Sequence, residues 1–112
     1  MTAMPRAAAS EDVFHAIAEG NRRVLIDLME PGPRAVGELV NASGLSYSTT
    51  SQHLAVLRRA GLVSSQAAGR QRVYRLRPAA LREVYDWSAR YREFWRTRLD
   101  ALGDVLEESD EA

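Results

Sequence analysis

The sequence predicts a mainly α fold with one small β-hairpin (α+β). Three observations predict it. Apolar residues recur at spacings of three and four along most of the chain, the period of an amphipathic helix. Two such stretches are separated by the short break Ser43-Gly44-Leu45-Ser46. One stretch rich in strand formers, Val73, Tyr74 and Leu76, folds back across Gly69.

Val13, Phe14 and Ile17 sit at helical spacing and predict a first helix over 11–19. Asn21 is the expected N-cap of the second, whose apolar stripe is Val24, Leu25, Leu28 and Met29. Pro31-Gly32-Pro33 ends it. A short third helix covers 36–42, with Val36, Leu39 and Val40 inward and no capping side chain at Ala35. Ser46 starts the fourth as N-cap. Thr50, Leu54 and Leu57 form its buried stripe, and Gly61 stops it. Residues 62–66 and 71–77 read as two strands around a turn at Gly69-Arg70. Pro78 closes the second strand and suits the first position of a helix.

From Ala79 to about Glu108 the pattern is helical throughout. About 30 residues at 1.5 Å each make a rod of roughly 45 Å. That is longer than so small a core can cover. Yet the rod carries Trp87, Tyr91, Phe94, Trp95, Leu99 and Leu102. An apolar row of that size left in water marks an interface. A homodimer built on this helix and the first one is expected, with Phe14, Trp87, Tyr91, Trp95, Leu99 and Leu102 at the seam.

At 112 residues the chain is one domain, and 46% apolar content fits a folded protein rather than a disordered one. The domain is expected over 11–108, after a leader at 1–10 and before an acidic tail at 109–112. The leader lacks the apolar centre of a signal peptide, and no apolar run is long enough to span a bilayer. Without cysteine there are no disulfides or thiolate metal sites. The cytoplasm is the expected compartment, with no membrane partner.

Neutral net charge conceals a segregated chain. The window 34–77 holds Arg34, Arg58, Arg59, Arg70, Arg72, Arg75 and Arg77 against the single acid Glu38, hence +6. The flanks are acidic, −2 over 1–33 and −4 over 78–112. All fifteen basic residues are arginine, which GC-rich coding alone would explain, but each can then meet phosphate with a planar, multi-donor group.

Two short helices around a turn, followed by an Arg-tipped hairpin, form a winged helix-turn-helix of five helices and a two-stranded wing. Such a unit docks on a duplex, its second helix in the major groove and its wing on phosphate or the minor groove. Tyr47, Ser48, Thr49, Ser51, Gln52 and His53 crowd the first turns of the fourth helix, where base edges are met. Gln suits adenine, while Ser and Thr read either base. Arg58, Arg70 and Arg72 are the expected backbone contacts. Double-stranded DNA is therefore the expected partner.

His15 and His53 are the only histidines and have no second ligand at metal spacing. No metal or other cofactor is expected. Nor is there a Gly-rich phosphate loop or a nucleophile with a base beside it, so the chain does not read as an enzyme. Two other readings stay open. One is a metal-responsive regulator with Asp, Glu and His ligands, and the other is a winged-helix module that binds protein.

The chain resembles the ArsR/SmtB family of bacterial transcription regulators from about Val13 to Leu106. The resemblance rests on Ala18-Glu19-Gly20-Asn21-Arg22-Arg23 and Val36-Gly37-Glu38-Leu39, and above all on the run from Ser51 to Val63. Gly69-Arg70 and Val73-Tyr74-Arg75-Leu76 complete it. It implies a winged-helix homodimer on a pseudo-palindromic operator, joined through its terminal helices. Family metal sensors often carry a Cys pair where this chain has Glu38 to Ala42, or Asp and His on the last helix, where this chain has no His. The DNA-binding half of the family carries over and the metal-sensing half does not. The signal would be a small apolar ligand between the aromatic helices, a partner protein, or abundance alone.

Overall fold

The computed structural model describes the backbone of residues 13–111 and the side chains of residues 13–108. The expected leader and residue 112 lie outside the described residues.

Helix α1 is described over 13–17. Helix α2 follows at Gly20–Met29, then the two-residue strand β1 at Arg34–Ala35, α3 at Val36–Ser43 and α4 at Tyr47–Arg59. Strands β2 (Val63–Ala68) and β3 (Gln71–Leu76) form the wing. A 3-10 turn at Pro78–Leu81 leads into α5 (Arg82–Ala89) and α6 (Arg92–Glu111).

Local chemistry sets most of these ends. The Ser46 hydroxyl accepts from the Thr49 amide at 3.0 Å and caps α4. Gly44 and Gly61, at φ +73° and +80°, take the left-handed conformation after α3 and α4. The cap of α2 differs from the expectation: Glu19 rather than Asn21 holds that position, and its carboxylate accepts from the Asn21 amide. For α3, Glu38 reaches back to the Ala35 amide at 2.9 Å, which supplies the missing cap from inside the helix.

Leu25, Met29, Leu39, Leu54, Leu57 and Leu62 are fully buried where α2, α3, α4 and the wing base meet. The sheet has three strands, in the order β1-β3-β2, rather than the two expected. Strand β1 pairs antiparallel with β3, Arg34 opposite Tyr74 and Ala35 opposite Val73. The wing runs from Val63 opposite Leu76 to Ala68 opposite Gln71. Its two-residue turn has Gly69 at φ +63° and no positive φ at Arg70, the signature of a II′ turn.

The long terminal rod is also corrected. It is two helices, so the described residues hold six α-helices instead of the five expected. No Gly or Pro breaks it; hydrogen bonding does. The Ser88 hydroxyl donates to the Tyr85 carbonyl at 3.0 Å, and the Tyr91 amide donates to the Ser88 carbonyl at 2.9 Å. Both bonds span three residues and tighten the backbone out of the α-helical ladder. Helix α6 then runs on to Glu111.

Along α6 the large apolar side chains stay outside. Phe94, Trp95, Leu99, Leu102, Val105 and Leu106 are between 47% and 62% exposed. The radius of gyration is 19.0 Å, against about 13 Å for a compact domain of this length. The helix starts among Arg92, Arg96 and Arg98 and continues through Asp100, Asp104, Glu107 and Glu108.

Candidate nucleic-acid interface

Helix α4 presents its first turns to solvent. Tyr47 (61% exposed), Ser48 and Gln52 are exposed, while Thr49 and Ser51 are half-buried. The Ser46 hydroxyl donates to Thr49 Oγ1 at 3.0 Å, so part of the polar cluster is tied into the cap. Thr50, Leu54 and Leu57 point the opposite way, fully buried, and fix the roll of the helix.

The wing rises beside the far end of α4. Residues paired across β2 and β3 share a face, so Val63, Ser65 and Ala67 lie with Leu76, Tyr74 and Arg72. At the base of that face Val63 and Leu76 join the core. Farther out, Arg72 donates to Ser65 Oγ through Nε and Nη2, at 3.3 and 3.2 Å. Arg58, in the last turn of α4, donates to the same oxygen from Nη1 at 3.4 Å. Ser65 thus gathers one arginine from the helix and one from the wing. Arg70 is exposed at the wing tip.

Among the described residues the ion pairs are Arg82–Asp86 and Arg96–Glu93, and the Glu19 carboxylate lies 3.7 Å from His53 Nε2. None involves an arginine of the +6 window. Among the described residues the positive charge of this window is therefore left without carboxylate partners, and it attracts a polyanion.

One expected contact sits elsewhere. His53 is turned back toward α2, its side chain 14% exposed. Its Nδ1 lies 3.3 Å from Arg22 Nη1 and its Nε2 3.7 Å from the Glu19 carboxylate. Position 53 falls three after Thr50 and four before Leu57, at the edge of the buried stripe, where a polar side chain can turn either way.

The expected seam residues fall into two groups. Phe14 meets Trp87 edge-on at 5.7 Å, and Trp87 lies 5.6 Å from Tyr91. These three tie α1 to the start of the terminal rod. Trp95, Leu99 and Leu102 lie along α6, 60%, 62% and 53% exposed.

This arrangement has relatives. The family model described as "Bacterial regulatory protein, arsR family" matches residues 19–65. The HTH-type transcriptional regulator Rv2034 of Mycobacterium tuberculosis is 38% identical over 97 residues, covering 84% of this chain and 85% of its own. The chain belongs to the ArsR family. An ArsR-like transcriptional regulator from Rhodococcus sp. RHA1 superposes with a TM-score of 0.68 at 25% identity, over 90% of this chain and 95% of the other. A fragment of Mb0332 from Mycobacterium bovis, described as a homodimeric winged helix-turn-helix DNA-binding domain, superposes with a TM-score of 0.66. It is 27% identical over 80% of this chain and 85% of its own.

As an ArsR-family member, the protein is a sequence-specific DNA-binding transcription regulator and not an enzyme. Among the described residues, no three of His, Asp or Glu come together as a metal ion requires, so the metal-responsive reading has no ligand set there. No described helix is long and apolar enough to cross a membrane.

Three participants escaped the sequence reading. Ser65 reads only as part of the first strand, and Glu19 and Arg22 enter only through the family resemblance, with no contact assigned to them. Arg22 is only 8% exposed.

Proposed function

We propose that two copies of this ArsR-family regulator join through α1, α5 and α6 and bind a pseudo-palindromic operator. Each α4 would enter a major groove, with Tyr47, Ser48, Thr49, Ser51 and Gln52 toward the base edges. Arg58, Arg70 and Arg72 would hold phosphates or reach the minor groove. The observation that carries this reading is the exposed apolar row on α6, from Phe94 to Leu106. In the described protomer nothing covers it, and a patch of that kind is rare on a monomer. The homodimeric description of the Mycobacterium bovis domain supports the same assembly. An effector, a small apolar molecule or a partner protein, would act beside Phe14, Trp87 and Tyr91.

Footprinting on DNA upstream of its own gene, combined with sedimentation equilibrium, tests the proposal. Two symmetric protected tracts about one helical turn apart, roughly 34 Å, and a dimer at micromolar concentration are expected. A single tract with a monomeric protein would overturn it.

A further inference from the structure

The side of the recognition helix away from solvent holds a small polar cluster that DNA contact does not explain. Arg22 is its centre. Its Nε donates to the Ala16 carbonyl at 2.7 Å and its Nη2 to the His15 carbonyl at 3.2 Å. These carbonyls belong to the last turn of α1; the His15 oxygen also accepts from the Ala18 amide at 3.2 Å. A cation there also suits the negative end of the helix dipole. The third nitrogen, Nη1, faces His53 Nδ1 on α4 at 3.3 Å.

A guanidinium can only donate, so Nδ1 must be the acceptor and the ring proton sits on Nε2. That proton points toward the Glu19 carboxylate, 3.7 Å away. Glu19 is itself fixed, because it caps α2. The imidazole is thus held through Nδ1 by Arg22 and faces the Glu19 carboxylate with Nε2, both residues lying at the start of α2. One of these residues also grips α1, and α1 carries Phe14 against Trp87 of α5.

We propose that Arg22 and His53 are positioning residues for operator binding: they set the angle of α4 against the α1–α5 platform and so the spacing between the two recognition helices of a dimer. The inference rests on the dimeric reading above. The core stripe of α4 fixes how the helix rolls about its own axis. The polar clamp fixes its tilt relative to the surface on which a second copy would sit. Neither residue touches DNA in this scheme.

The probe is a duplex selected from a random pool by the wild-type protein, with versions in which one base pair is added or removed between half-sites. Single half-site and random duplexes serve as controls. His53→Ala should bind half-site and random DNA as wild type does, with the same salt slope. On the full duplex it should lose affinity by roughly two- to thirtyfold, the size of effect expected for a residue that acts through another. It should also lose the preference for native spacing. His53→Gln should restore both, since an amide oxygen can accept from Arg22 while its nitrogen donates to Glu19. An equal loss on every duplex in His53→Ala would make the role merely structural and overturn the proposal. An unchanged spacing preference would overturn it too. Sedimentation of the wild type separates the two levels. A monomer removes the dimeric reading itself, whereas a dimer with a spacing preference that His53→Ala leaves intact removes only the clamp.

Discussion

Arg58 and Arg72 donate to one oxygen, the Ser65 hydroxyl, from the end of the recognition helix and from the wing. Two guanidiniums held this close repel each other, and among the described residues no carboxylate pairs with either. An incoming phosphate would relieve that repulsion and bridge helix to wing. The hydroxyl keeps the two cations converged before the anion arrives, which lowers the ordering cost of binding.

Salt dependence measures this directly. Each phosphate contact removed should lower the slope of log K against log salt by about 0.9 on duplex DNA. Arg58→Ala and Arg72→Ala are each expected to show that drop, and Arg70→Ala likewise if the tip reaches the backbone. The loss should be similar on any sequence. Slopes identical to wild type in all three variants would take the wing off the DNA.

Gln52 makes the opposite prediction. It is exposed on the outer face of α4, one turn past the half-buried Thr49. Gln52→Ala should cost on the order of 1–3 kcal/mol on the cognate duplex, the worth of a bidentate base contact. Random duplex should be almost indifferent. Paired titrations on the two DNAs decide it, and equal losses would reduce Gln52 to a backbone contact.

Thr50 predicts a gain in stability. It is fully buried, and its hydroxyl has no hydrogen-bond partner among the described residues. A buried polar group left unpaired costs about 1–3 kcal/mol. Thr50→Val keeps the shape and removes the hydroxyl, so the variant should unfold at higher urea by about 1 kcal/mol of free energy. A midpoint below wild type would show that the hydroxyl is satisfied in solution.

The proposed seam is tested by charge. Trp95→Glu together with Leu99→Glu would bury unpaired carboxylates between two copies of α6, which is strongly unfavourable. The variant should sediment as a monomer and lose operator binding, although its helix-turn-helix is untouched. A dimer with normal DNA affinity would place the interface elsewhere.

Metal should be inert. Gel shifts in low micromolar Zn²⁺ or Ni²⁺ and in chelator are expected to coincide. A stoichiometric metal-dependent shift would bring back a ligand set built from Asp, Glu and His.

What the sequence made legible was what neighbouring residues decide among themselves. Ser46 caps α4 because its hydroxyl lies three residues from the amide it needs. Gly44, Gly61 and Gly69 mark their turns because each needs a positive φ. The polar start of α4 was legible for the same reason. Strand β1 was not, because its two residues exist only by pairing with Tyr74 and Val73 far along the chain. The break before α6 escaped because Ser88 and Tyr91 are ordinary helix residues until their bonds shorten. His53 was misplaced on the outer face because a polar residue at a stripe edge can turn either way. Only Arg22, thirty-one residues earlier, decides which.

Helix α6 has arginines near its start and carboxylates toward its end, the reverse of what its backbone dipole favours. Its apolar row also stands in water on one protomer. On the proposed dimer, this row is covered only when the second copy arrives, so burial of the helix and assembly become one event. Such a regulator responds to its own amount. Below the dimer dissociation constant, doubling the number of chains raises the DNA-binding species about fourfold. The protein would then act as a threshold device, silent when scarce and abruptly effective when not.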